Sequence, residues 1–317
     1  MTLSHLIYFL SRNLAILIVI LALLILPPTA ISIASMPNTD SRQEVFYQVF
    51  QAGVESLENR DFDRAIKKFT DAIQTHTNLA ASYSNRCLAY LQIGEYQLSI
   101  DDCTEAQQAN PENPEAYLNR GLAYYRLGQH EAAIKDYDQM LKLAPADFRV
   151  YYNRGLAKFE IEDYQQSIED YNHSINLNLK TQDPNLTNDL ANIYNDRGLT
   201  YFLLKDISSA LKDYTSAIVL NPKDHRAYYN RGCAHQKLRS YAESINDFTK
   251  SLAINPHNPD ALISRGVAHR NLGQNEAAIS DIQAAAAEFL AHGDMSAYQQ
   301  AIELAQQFRA TANIRIG

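Results

Sequence analysis

The sequence predicts an all-α repeat protein, a solenoid of stacked helix pairs. Three observations carry this reading. A 34-residue segment recurs along most of the 317 residues. Within each copy, apolar residues follow helical spacing in two short stretches. Prolines recur where the second stretch ends.

In chain order, residues 1–36 come first. An unbroken aliphatic run from Leu14 to Leu26 follows Arg12 and precedes Pro27, Pro28 and the small residues Ala30 to Ser35. A positive start, a short apolar core, a helix breaker and a small-residue stretch make an export signal, with Ser32 and Ala34 suiting cleavage after Ala34. Residues 14–35 carry no charge and are long enough to cross a bilayer, so an uncleaved anchor is the competing reading. Arg12 holds the N-terminus on the cytoplasmic side in both cases, and both export the chain beyond residue 36. Residues 37–45 read as a linker.

The repeats fill 46–292. The string from Tyr117 to Pro145 returns from Tyr151, from Tyr194 and from Tyr228. Extending the frame gives seven units: 46–79, 80–113, 114–147, 148–181, 191–224, 225–258 and 259–292. Residues 182–190 are an insertion. Small residues hold repeat position 8 (Gly53, Cys87, Gly121, Gly155, Gly198, Gly232, Gly266) and position 20 (Ala65, Ser99, Ala133, Ser167, Ala210, Ser244, Ala278). They allow two antiparallel helices to approach closely. Large rings flank them at position 4 (Tyr83, Tyr117, Tyr151, Tyr194, Tyr228) and position 24 (Phe69, Tyr137, Tyr171, Tyr214, Phe248). Pro111, Pro145, Pro222 and Pro256 at position 32 stop the second helix, because proline cannot donate to the helical ladder.

This pattern resembles the tetratricopeptide repeat (TPR), with tyrosine where the family usually has tryptophan at position 4. The resemblance implies a right-handed α-α superhelix whose concave inner wall is made by the first helix of each pair. Each pair buries its apolar face only by stacking on its neighbours.

Position 7 is arginine in six units (Arg86, Arg120, Arg154, Arg197, Arg231, Arg265), and position 23 of the same six is aspartate (Asp102, Asp136, Asp170, Asp213, Asp247, Asp281). The first unit lacks both, having Ala52 and Lys68. Joint loss of opposite charges points to an arginine–aspartate ladder joining first and second helices, or adjacent units. The insertion 182–190 comes after the unit whose proline is replaced by Leu179. It reads as a longer connection or as an extension of the next first helix from near Thr187. Residues 293–317 read as a capping helix and tail, with Tyr298, Ile302, Leu304 and Ala305 on one face.

Composition excludes several functions. With 28 Lys+Arg against 36 Asp+Glu and a formal charge of −8, nothing favours nucleic acid as partner. No phosphate-binding glycine loop, nucleophile elbow or metal-ligand cluster is present, so no cofactor, metal or enzymatic activity is expected. Cys87, Cys103 and Cys233 read as buried small hydrophobes; a bond between Cys87 and Cys103 across one helix pair is the other reading. His235 and His269, both at position 11, read as imidazoles stacked in adjacent units. The sequons at Asn172 and Asn185 matter only in a eukaryotic secretory pathway.

Function is expected on the inner wall. TPR units resembling these bind peptides through first-helix positions 2, 5, 6, 9, 12 and 13. Position 6 reads Gln51, Asn85, Asn119, Asn153, Asp196, Asn230 and Ser264. Such an amide row resembles that of O-linked N-acetylglucosamine transferases, and each amide offers a donor and an acceptor to an extended backbone. Consensus filler is the competing reading. Tyr125, Tyr152, Phe159, Phe202 and Tyr229 at positions 5 and 12 add aromatic anchors. No Lys–Asn pair occurs at positions 5 and 9, which disfavours the carboxylate clamp of chaperone-tail binders. The expected function is a non-enzymatic scaffold or assembly factor that binds an extended peptide or protein client. The alternative is a structural, self-associating or membrane-tethering component of an envelope complex. The membrane is engaged only through the N-terminal segment if it stays uncleaved.

Overall fold

The structure, a computed structural model, describes residues 41–181, 183 and 186–313. The expected export segment, 1–36, lies outside these residues. Among the described residues there are fifteen helices and no strand, and no helix is long and apolar enough to cross a membrane. The helices run in pairs: α1 (Ser41–Glu58) with α2 (Phe62–Gln74), α3 (Leu79–Ile93) with α4 (Tyr96–Ala109), α5 (Pro114–Arg126) with α6 (His130–Leu143), and α7 (Phe148–Glu160) with α8 (Tyr164–Thr181). They continue as α9 (Thr187–Leu203) with α10 (Ile207–Leu220), α11 (His225–Lys237) with α12 (Tyr241–Ile254), and α13 (Pro259–Asn271) with α14 (Asn275–Ala291). The last helix is α15 (Met295–Asn313). The chain divides into two compact units between Lys180 and Thr181.

In the N-terminal unit, α1 starts within residues expected to form the linker. No breaker separates Ser41 from Phe46 and Phe50, which are buried at 1% and 0% exposure and extend the helical face. The reason for a small residue at position 8 is plain at Gly121. A Cβ there would lie 2.6 Å from the Tyr137 ring of the second helix. The ring therefore seats directly on backbone, and only glycine lets it do so. Position 20 adds a polar tie: the Ser167 hydroxyl donates to the Gly155 carbonyl at 2.8 Å. In the second pair, where cysteines replace both glycine and ring, Cys87 and Cys103 are joined by a disulfide with Cα atoms 5.4 Å apart.

Position 7 arginines hold position 23 aspartates through two parallel bonds. Arg120 Nε and Nη2 donate to Asp136 at 2.8 and 2.7 Å, and Arg86 and Arg154 hold Asp102 and Asp170 alike. The remaining nitrogen reaches the second helix of the preceding pair, at Thr70, Thr104 and Asp138 respectively for Arg86, Arg120 and Arg154. One guanidinium thus ties three helices, so the ladder acts both within and between repeats. Tyr83 and Tyr90 flank the Arg86 guanidinium with ring centroids 5.6 and 5.8 Å away, a cation–π arrangement.

Where the position 32 proline is missing, α8 runs to Thr181 and has 18 residues, against 14 in α4 and α6. In the C-terminal unit, α9 has 17 residues, against 13 in α11 and α13. The insertion is thus largely absorbed by lengthening both helices, and α9 begins at Thr187.

The C-terminal unit repeats the same devices. Cβ atoms at Gly198 and Gly232 would each come within 2.8 Å of Tyr214 and Phe248 respectively. Arg197, Arg231 and Arg265 hold Asp213, Asp247 and Asp281. His235 and His269 do not stack on each other: each lies 3.8 Å from the aspartate of its own pair. Four residues C-terminal to the arginine, the imidazole sits over the same carboxylate. In α15, Ala301, Leu304, Ala305 and Phe308 are buried in one cluster with Ile282, Ala285 and Ala286 of α14, and Tyr298 and Ile302 pack at its edge.

Every pair turns through one residue with left-handed backbone at repeat position 15. It is glycine at Gly94, Gly128 and Gly273, but Arg60, Glu162, Lys205 and Arg239 elsewhere, with φ between 61° and 84°. The next N–H closes the helix by donating five residues back, as from Gln129 to the Tyr124 carbonyl at 2.9 Å.

Candidate functional site

First helices supply the candidate wall, and the two units build it differently. In the N-terminal unit, Asn85, Asn119 and Asn153 are buried at 1%, 6% and 1% exposure. The amide row here is not the solvent-facing ladder that its composition suggested. The reason is the company it keeps: Leu88, Tyr125, Tyr152, Leu156 and Phe159 on the same helices are buried too. Both amide atoms of Asn153 lack a protein partner. The aromatics have neighbours of their own. Tyr125 donates to Glu160 at 3.4 Å and meets His130 edge-on, Tyr152 tilts against Tyr171, and Phe159 meets Tyr164 edge-on. Burial raises the Glu160 carboxyl and lowers His130. At position 2, Arg149 reaches Asp147 at 2.5 Å and Glu115 at 3.0 Å, so these three charges are paired.

In the C-terminal unit, Asp196 is buried and accepts from the Asn195 amide at 3.3 Å. Asn230 is half-buried and donates to Asn195 at 3.0 Å, giving a bonded polar chain between α9 and α11. Phe202 is half-buried. So is Tyr229, which leans on Phe248 with centroids 5.7 Å apart. Arg226 at position 2 pairs with Asp224 and donates to Asn192 at 2.7 Å. Asp260, the position 2 residue of the next pair, has no cationic partner among the described residues, and burial pushes its carboxyl up to about 6. Asp189 is pushed up to about 6 by the same cause, and burial drives the Cys233 thiol up to about 12. A thiol held that high stays protonated and is a poor nucleophile. No group of three metal-binding side chains forms among the described residues.

Sequence reading missed Asn195, Arg149, Arg226 and Asp260. A signal existed for the two arginines: Asp147-Phe-Arg149 and Asp224-His-Arg226 repeat one Asp-x-Arg pattern at equivalent positions. In both, the aspartate caps the helix and holds the arginine.

Tetratricopeptide repeat family models match at 114–147, 191–224 and 225–258, a second repeat model at 88–128 and a third at 148–181. No curated protein matches the chain by sequence. Among solved structures, a tetratricopeptide repeat protein from Parabacteroides merdae is similar at a TM-score of 0.60 and 16% identity, covering 83% of this chain and 99% of that one. The Pseudomonas aeruginosa pilF structure is similar at 0.58 and 16% identity, covering 70% and 96%. YrrB, described as a TPR protein with an unusual peptide-binding site, is similar at 0.50 and 20% identity, covering 63% and 97%. These likenesses show the fold.

Proposed function

Because the chain belongs to the tetratricopeptide repeat family, we propose that it is an exported, non-enzymatic scaffold that holds an extended segment of a protein client on its first-helix wall. The C-terminal unit is the better seat. The observation that carries this reading is the Asn195–Asn230 amide chain, with the half-buried rings of Phe202 on the first of these helices and Tyr229 on the second. Amides bond a peptide backbone whatever its sequence, and partly open rings supply apolar contact. The uncompensated Asp260 carboxylate favours a client segment carrying lysine or arginine. Export rests on the charge order of residues 1–36, with Arg12 before the apolar run.

The test is capture of clients from the native envelope fraction by the full chain and by a Phe202→Ala/Asn230→Ala variant. Loss of capture with unchanged helical circular dichroism supports the reading. Retained capture removes the wall from it. A concentration-dependent mass in sedimentation, with no client bound, favours the self-associating alternative. For export, the repeats are expected to be digested by protease added outside an intact inner membrane. Protection until that membrane breaks overturns export.

A further inference from the structure

We propose that the Cys87–Cys103 disulfide is a native cross-link that takes over, in one repeat, the packing that glycine and an aromatic ring perform in five of the others. Position 8 faces position 24 in every helix pair. Five pairs have glycine against a ring: Gly53 with Phe69, Gly121 with Tyr137, Gly155 with Tyr171, Gly198 with Tyr214 and Gly232 with Phe248. In all five, a Cβ on the glycine would lie 2.6–2.8 Å from a ring carbon. The two positions are therefore coupled by volume. A side chain at position 8 is tolerated only if the ring goes, and a small residue at position 24 leaves space that a glycine cannot fill.

The second pair changes both positions at once, to cysteine. Both cysteines are 0% exposed, and their Cα atoms are 5.4 Å apart, inside the range a disulfide spans. Cys233, at position 9 of another pair, is free, so the pairing has no competitor. Ser99, from the small-residue position 20, donates to the Cys87 carbonyl at 3.0 Å and holds the two helices at this spacing. Two sulfurs in one bond fill the site between helices where a ring otherwise sits.

Formation needs a disulfide-bearing oxidant of the thiol-oxidoreductase class. The Cys87 thiolate attacks that disulfide and gives a mixed disulfide. The Cys103 thiolate then displaces the oxidant's second sulfur. Cys87 and Cys103 lose two protons and two electrons, and the oxidant leaves as a dithiol. Such oxidants act in export compartments, where disulfides persist. A cross-link found in the purified chain would thus support export on grounds separate from residues 1–36, and it does not depend on client binding. Full burial further means that a reductant reaches the bond only when the pair opens.

The test uses the full chain purified from its own host with free thiols blocked at lysis. Thiols are counted in denaturant without reductant. One thiol per chain, Cys233, is expected; three overturn the proposal. Melting is then monitored with and without reductant, with reduction verified by thiol count. Reduction is expected to lower the midpoint by about 5–10 °C. A Cys87→Gly/Cys103→Phe variant, which restores the interlock of the other pairs, is expected to melt near the oxidised protein and to ignore reductant. A Cys87→Ala/Cys103→Ala variant, which has neither device, is expected to melt with the reduced protein. A verified reduction that leaves the midpoint unchanged overturns the packing role, whether or not client capture succeeds.

Discussion

The two compact units are written in one repeat code but present different walls. In the N-terminal unit, Asn119 and Asn153 at position 6 are buried, and Arg149 neutralises Glu115. In the C-terminal unit, Asn230 at the same position is half-buried, as are Tyr229 next to it and Phe202 on α9, and Asp260 stands without a cation among the described residues. The same amide therefore serves as a buried polar group in one unit and, in the other, as a half-buried group bonded to Asn195. Position 5 follows the same contrast, Tyr152 being buried and Tyr229 half-buried, and this directs the search for a binding surface to the C-terminal unit.

The largest test of this comparison concerns the arginine ladder. Asp170 in the N-terminal unit is held by Arg154 and also by Lys158 at 2.8 Å. Asp247 in the C-terminal unit is held by Arg231, with His235 only at 3.8 Å. Both carboxylates are nearly inaccessible, with side-chain exposures of 3% and 2%. Arg231→Ala strands its aspartate and is expected to cost about 3 kcal/mol, as removal of one partner from a buried pair does. Arg154→Ala leaves Lys158 in place and is expected to cost about 1 kcal/mol, nearer the value for a partly screened pair. Urea unfolding monitored by circular dichroism measures both. Equal losses would show that Lys158 does not share the carboxylate.

A second test reverses sign between the walls. Burial raises Asp260 from 3.8 to about 6, so the folded state resists its charged form. The resulting penalty is present in full above about pH 6 and fades as pH falls toward the unfolded value. Asp260→Asn is therefore expected to stabilise by about 1–2 kcal/mol near neutral pH, by roughly a third of that near pH 4, and by nothing only well below the unfolded value. Glu115→Gln removes a paired charge instead and is expected to destabilise by about 0–1 kcal/mol near neutral pH. Unfolding curves at the two pH values decide it. A destabilising Asp260→Asn would reveal a cation that the wall does hold.

How much of this was legible beforehand depended on whether both partners of an interaction vary inside the repeat. The arginine–aspartate ladder was legible because Ala52 and Lys68 lose both charges together. The lengthened helices around 182–190 were legible in kind, since the proline at position 32 is missing there. The openness of position 6 was not, because a carboxamide looks alike in sequence whether its helix buries it, as with Asn153 between Tyr152 and Leu156, or leaves it half-buried, as with Asn230. Nor was the role of Arg149 and Arg226, whose partners Glu115 and Asn192 sit one repeat away and differ in chemistry.

The smallest test concerns a feature that composition hid altogether. The left-handed residue at position 15 is glycine in three pairs and Arg60, Glu162, Lys205 or Arg239 in four. Its conformation is imposed by the turn, because the following N–H must reach the carbonyl five residues back: Ser240 to His235 at 2.9 Å, Asp163 to Lys158 at 2.9 Å. A side chain there sets Cβ against the backbone, at a cost of roughly 1 kcal/mol relative to glycine. Glycine gives part of this back through the greater freedom of the unfolded chain. Glu162→Gly and Arg239→Gly are each expected to stabilise by about 0.5 kcal/mol, and Gly128→Ala, with nothing within 4 Å of its added Cβ, to destabilise by a similar amount. Since the turn geometry is common to both units, the effect should be equal in Glu162→Gly and Arg239→Gly, unlike the wall substitutions. A gain confined to one of the two would show that the units differ in their turns as well as in their walls.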